Sequence, residues 1–183
     1  MIVNIRGTSG AGKTTIIREL MEKYHHEDVT DRSGKVLAVL IHWADPIYVI
    51  GRYDNVCGGC DTIKTQDETR RRITKFCKQG HVIYEGLTIG NGYAKNLAHH
   101  RRMKQPFAFA TLDTPLTTCI SRVKKRRKAA GNTKEFNPEN TEKLFFANMR
   151  FLQRQVYDKA NPVVLNHKDA THELTALLWE HKL

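Results

Sequence analysis

No apolar run in this chain is longer than the six residues from Val36 to Ile41, far short of the roughly 20 that a membrane-spanning helix needs. The N-terminal Met-Ile-Val-Asn-Ile-Arg has no basic n-region and no apolar stretch of secretory length, so a cytoplasmic protein with no membrane partner is expected. Four cysteines, Cys57, Cys60, Cys77 and Cys119, are too few to staple 183 residues, which points to reduced thiols. No repeat, low-complexity linker or shift in composition divides residues 1–183, so a single domain is expected. The guanine-reading Asn-Lys-x-Asp signature is missing, which argues against a GTPase, and the length excludes a motor or helicase core. With 40% hydrophobic and 27% charged residues, wholesale disorder is also excluded.

What the chain has in excess is positive charge. Thirty Lys and Arg stand against nineteen Asp and Glu, a net +11 with a pI near 9.6. That surplus points to a polyanionic partner, nucleic acid before anionic membrane.

Short β-branched runs alternate with amphipathic stretches, the pattern of an α/β fold with a parallel sheet flanked by helices. Strands are expected at 2–5, 36–42, 47–50, 81–85, 107–112 and 163–165. Helices are expected over 13–24, from the Thr65/Glu68 capping box to about Gln79, from Thr114-Pro115, from Asn137-Pro138, and from a Thr171 cap. The helix from Thr65 must descend if strand 81–85 is to run parallel to strand 2–5. Strand 47–50 then runs up and 36–42 down, an antiparallel hairpin within 27–50. This puts Asp45 at the bottom of the sheet and residues 51–63 at the top.

The strongest motif is Gly7-Thr8-Ser9-Gly10-Ala11-Gly12-Lys13-Thr14, followed by Thr15, between the first strand and first helix. It matches G-x-x-x-x-G-K-[ST] at every position and in the required context. Such a loop turns backbone N–H groups toward phosphate oxygens at a helix N-terminus. Lys13 is expected on the β- and γ-phosphates of ATP, and the Thr14 hydroxyl on Mg²⁺. Glu85, at the top of its strand, is a candidate second Mg²⁺ holder. Residues 118–134 carry Arg122, Lys124, Lys125, Arg126, Arg127, Lys128 and Lys134 with no acid among them. The segment resembles the lid of nucleoside monophosphate kinases, at about 118–136. Arg122 and Arg126, one helical turn apart, suit the spread charge of a transferring phosphoryl group.

The loop Gly51 to Ile63 supplies the acceptor-side candidates. Asp61, ahead of Asp54, is the expected base for a hydroxyl proton. Arg52, Tyr53, Gly58 and Gly59 are expected near substrate, the glycines because they admit close approach to backbone. Arg70, with Arg71 and Arg72, could meet substrate phosphates. A zinc set of Cys57, Cys60, Cys77 and His81 fits the spacing but is disfavoured, because Cys77 shares an apolar helix face with Ile73 and Phe76. The loop Asn166-His167-Lys168 is the expected place for adenine contacts.

Three segments together, the loop at 7–14, Val49–Asn55 running into Cys57–Ile63, and Gly80–Leu87, cover about thirty residues. They resemble bacteriophage P-loop kinases related to thymidylate kinase, which phosphorylate 5-hydroxymethyluracil within DNA during thymidine hypermodification. The resemblance implies transfer of the ATP γ-phosphate to that hydroxymethyl group. The chain departs from thymidylate kinases, which carry Asp-Arg after the third parallel strand, and from deoxynucleoside kinases, which carry Glu-Arg-Ser. Here the sequence reads Glu85-Gly86-Leu87, without the substrate-clamping arginine. Two rivals stay open at this point: a kinase of free deoxynucleoside monophosphates, and a non-catalytic module in which ATP gates nucleic-acid binding. The sequence does not fix the oligomeric state.

Overall fold

The computed structural model describes residues 1–54, 58–86 and 92–181. Seven strands form one sheet: β1 (Ile2–Arg6), β2 (His26–Thr30), β3 (Val36–Ile41), β4 (Ile47–Ile50), β5 (His81–Glu85), β6 (Phe107–Leu112) and β7 (Pro162–Leu165). Their order is β2-β3-β4-β5-β1-β6-β7. The run from β4 to β7 is parallel throughout, and β3 pairs antiparallel to β4 and to β2. The expected α/β sheet and its hairpin are both present.

The helices of the described residues are α1 (Lys13–Lys23), α2 (Gln66–Phe76), α3 (Tyr93–Met103), α4 (Leu116–Ala129), α5 (Glu139–Tyr157) and α6 (Ala170–Trp179), with a 3-10 turn at Cys60–Thr62. None is long and apolar enough to cross a membrane. Strands β4 and β6 read as nearly continuous apolar runs, and β1 is interrupted by the buried Asn4, because both faces are covered. Val3 and Ile5 pack with Ile16, Ile17 and Leu20 of α1 and Leu174 and Leu178 of α6. On the other face Ile2, Val82 and Tyr84 meet Ile73 and Phe76 of α2. Each such side chain, fully buried, contributes about 1.5–3 kcal/mol.

Several details differ from the sequence expectation. The sequence pattern predicts no strand at β2, because His-Glu-Asp-Val-Thr has no apolar alternation; as a charged edge strand it discourages further pairing. Nor does it predict helix α3. Its buried face is Tyr93, Asn96, Leu97 and His100, half of it polar. Thr65 caps α2 by accepting from Glu68 N at 3.1 Å, but Glu68 does not complete a capping box. Its carboxylate instead bonds Arg71 and Arg72. Thr114 does not cap α4, whose N-cap is Pro115; its hydroxyl donates to Ala11 O at 2.7 Å. Thr171 lies inside α6 and bonds Glu19, so Asp169 is the residue at the cap position.

Polar α3 residues reach the core through one specific pair. His100 Nε2 lies 3.0 Å from the Tyr84 hydroxyl, and its ring stacks on Phe109. Burial pushes the His100 pKa down to about 3. The unfolded chain regains an ordinary histidine near 6.5, so below that pH it binds a proton that the fold refuses. This group therefore leaves stability unchanged above about pH 6.5 and lowers it by about 1.4 kcal/mol per pH unit below. Urea titrations between about pH 7 and pH 4.5 check this. The slope for His100→Gln is expected to be shallower than wild type by about that amount, and parallel slopes would contradict it.

Candidate active site

Strand β1 delivers the chain into the loop 7–12, and α1 begins at Lys13. Lys13 is buried, and its ammonium donates to Gly7 O at 2.9 Å and Thr8 O at 3.1 Å. Burial lowers its pKa, while the carboxylates of Glu85 and Asp61 push the other way. Three residues from later in the chain hold the loop. Thr8 Oγ1 donates to Thr141 O at 3.1 Å, Thr114 Oγ1 to Ala11 O, and Arg122 Nη1 to Gly10 O at 3.3 Å. Gly10 sits at φ +80°, and a Cβ there would lie 2.5 Å from Cys119 O, so only glycine lets α4 approach this closely.

The loop opens onto a pocket of about 350 Å³. Its walls include Ser9, Gly10, Gly12, Lys13, Thr14 and Thr15 from the loop, while Thr8 and Ala11 are buried behind it. From across the sheet come Gly58, Asp61 and Glu85, and from α4 come Arg122 and Arg126. Glu85 Oε1 accepts from the Thr14 hydroxyl at 3.1 Å. Burial raises the Glu85 pKa and Asp61 adds to it, whereas Lys13 and the Thr14 bond oppose the rise. Gly59, at φ +71°, lets its backbone press onto this acid, since a Cβ would stand 2.6 Å from Glu85 Oε1. Gly59 N bonds Arg52 O at 2.9 Å, which holds it beside that residue, and the adjoining Gly58 lines the pocket.

Other expected residues lie elsewhere. Asp54 is exposed and pairs with Arg52, facing a groove with Met21, His26 and Asp28 rather than the phosphate pocket. Tyr53 is buried with its ring against Gly58, and its hydroxyl has no hydrogen-bond partner. Burial, reinforced by Glu85, raises the Tyr53 pKa. Arg70 bonds Asp67 and Asn96, so it does not line the pocket. Arg72 is spent on Glu68 and on the carbonyls of Val36 and Leu37. In the 166–168 loop, His167 N and Nδ1 each lie 2.7 Å from Asp113 Oδ1, outside the pocket wall.

The zinc set does not assemble. Cys60 lies against Ile50 O at the carboxyl end of β4, whereas Cys77 and His81 sit at the opposite end of the sheet. The length of β5 alone separates these ends by roughly 13 Å. Asp45, 3.6 Å from His81, marks the same far end. Cys57, named in that set, falls outside the described residues. Arg18, which the sequence motifs do not single out, also lines the pocket; its spacing of four from Thr14 puts both on one face of α1.

Comparison with known proteins gives a consistent family. A family model described as 5-hmdU DNA kinase matches residues 1–171. The 5-hmdU DNA kinase of Pseudomonas phage PaMx11 is 35% identical over 185 residues, covering 97% of this chain and 96% of the relative. That of Delftia phage PhiW-14 is 26% identical over 184 residues, covering 92% and 68%. A solved structure of deoxyadenosine kinase from M. mycoides covers 100% of both chains at 20% identity and a TM-score of 0.48.

Proposed function

The chain belongs to the 5-hmdU DNA kinase family, and from that premise we propose how its residues transfer the γ-phosphate of ATP to the hydroxymethyl oxygen of 5-hydroxymethyluracil in DNA. The observation that carries the reading is the meeting of Lys13, Thr14, Asp61, Glu85, Arg122 and Arg126 around one pocket. Lys13 and the amides of residues 9–15 hold the phosphates. Mg²⁺ fits the hard oxygen donors of Thr14 and Glu85, which are already within hydrogen-bond distance. When bound, it would offset charge on the β- and γ-oxygens.

Asp61 accepts the hydroxymethyl proton as that oxygen bonds to the γ-phosphorus. The bond from γ-phosphorus to the β,γ-bridging oxygen breaks, and ADP leaves. Arg122 and Arg126 stabilise the charge on the transferring group. Gly58 and Gly59 shape the acceptor side. On this reading Arg52, Asp54 and Arg70, which do not line the phosphate pocket and pair elsewhere, take no part in the transfer step. On this reading the whole chain is one kinase unit, its basic lid at about 118–136, acting in the cytoplasm of an infected cell as a relative of phage enzymes.

Salt dependence tests whether the acceptor is a polymer. Neutralising about three DNA phosphates makes kcat/KM for 5-hydroxymethyluracil DNA fall more than roughly tenfold between about 50 and 200 mM salt. Turnover of the free 5-hydroxymethyl nucleotide is expected to change by less than about twofold. Equal slopes would point to a mononucleotide acceptor.

A further inference from the structure

A second concavity of about 350 Å³ adjoins the phosphate pocket, between the C-terminal half of α4, the segment that follows it, and the start of α5. Ser9 and Arg126 line both, so the two spaces meet at the cation assigned to the transferring phosphoryl group. The chemistry proposed above makes no use of this second space.

Its lining has the mixed character that a nucleotide needs. Phe136, half-buried, offers a ring face, with the Arg127 guanidinium 5.9 Å from its centroid. Arg127 Nη2 donates to Lys134 O at 3.4 Å, which ties the guanidinium to the segment that carries Phe136. Arg126, Arg127 and Lys134 face one acid, Glu135. Asn140 and Thr141, in the first turn of α5, also line the space, so the positive end of a 19-residue helix is directed there. The Asn140 side-chain amide can both donate and accept, and Asn137, whose Oδ1 accepts from Glu139 N at 2.9 Å, keeps its NH₂ as a donor, which suits the imide edge of a pyrimidine. An aromatic face beside cations is the recurring chemistry of single-stranded nucleic-acid contacts.

We propose that this second space holds the target nucleotide of the acceptor strand, unstacked from its neighbours. The base lies on Phe136, a flanking phosphate meets Arg127 and Lys134, and the hydroxymethyl group reaches past Arg126 into the phosphate pocket. The assignment rests on the kinase reading above and names the acceptor subsite of that reaction. A base whose own atoms take part in an enzymatic reaction is commonly taken out of the stack to reach a pocket of this kind.

The test is Phe136→Ala, assayed for KM on a 5-hydroxymethyluracil oligonucleotide and for affinity toward a fluorescent ATP analogue. The expected result is a rise in the DNA KM of roughly tenfold or more, with ATP affinity within about twofold of wild type. Should circular dichroism report that Phe136→Ala has not folded, Asn140→Ala, an exposed position, is expected to give the same selective loss for DNA. A comparable loss of ATP affinity, alone or alongside the DNA effect, overturns the assignment in favour of the nucleotide donor. No change in either constant overturns it as well. If the wild-type chain labels no DNA, the kinase reading fails and this assignment with it; that outcome is distinct from a wild-type signal with no selective effect.

Discussion

Lys13→Met is expected to lower kcat for phosphate transfer by at least about 10³-fold while leaving the protein folded. The ammonium is buried, with Gly7 O and Thr8 O as its hydrogen-bond acceptors and Glu85 and Asp61 as its counter-charges. Burial disfavours its charged form, and a triphosphate would add the negative charge that the site lacks. The stabilisation therefore grows as charge builds on the γ-phosphate, which affects kcat more than nucleotide affinity. Methionine keeps the length of the side chain and most of its packing. Lys13→Arg is not expected to rescue activity, because a planar fork does not fit the space of a point charge between two carbonyls. Steady-state transfer rates, with thermal melts of the same samples, check this. A loss below about tenfold in a folded Lys13→Met protein would contradict it.

The second large effect separates two aspartates of one loop. Asp61→Asn is expected to cost about 10²–10⁴-fold in kcat, the usual range for a positioned general base. Asp54→Asn is expected to cost no more than about twofold, because that carboxylate is exposed and pairs with Arg52 in another groove. The pH profile carries a further sign. Glu85 is held above the usual glutamate range, first by burial and then by Asp61. In the metal-free protein Glu85 is therefore protonated earlier than an ordinary glutamate as pH falls. Removing the Asp61 charge lowers the Glu85 pKa, so without Mg²⁺ Glu85 of Asp61→Asn should titrate at lower pH than in wild type. Carboxyl NMR shifts from about pH 4 to pH 8 decide this. A Glu85 titration moved to higher pH, or equal rate losses for the two variants, would remove Asp61 from its role.

The parts of this molecule that could be read from sequence are those where local chemistry and tertiary role agree. The loop at 7–14 is such a case: its glycines, lysine and threonine serve the same purpose as spacing and as geometry. The direction of the 36–50 hairpin followed from chain connectivity alone, and it correctly put Asp45 far from the pocket. Failures came where side chains serve distant partners. Thr114 has the look of a helix cap but is drawn to Ala11 O, 103 positions away in sequence. Helix α3 buries Asn96 and His100, so its inner face carries no apolar period to detect. Asp54 and Asp61 are indistinguishable by residue type. Both are exposed, but Asp54 lines the groove with Met21 and His26 whereas Asp61 lines the phosphate pocket, and the reversal at Gly59 that separates them depends on φ angles the sequence only permits. Arg18 was legible through its spacing from Thr14, although one arginine among many basic residues carries little signal on its own.

The central claim is tested most directly by γ-³²P transfer from ATP, with Mg²⁺, to DNA containing 5-hydroxymethyluracil, beside thymine DNA and free deoxynucleoside monophosphates. The account predicts label retained in the modified polymer alone, and lost with Lys13→Met. Label found only in a free nucleotide, or in thymine DNA as strongly as in the modified strand, would contradict it.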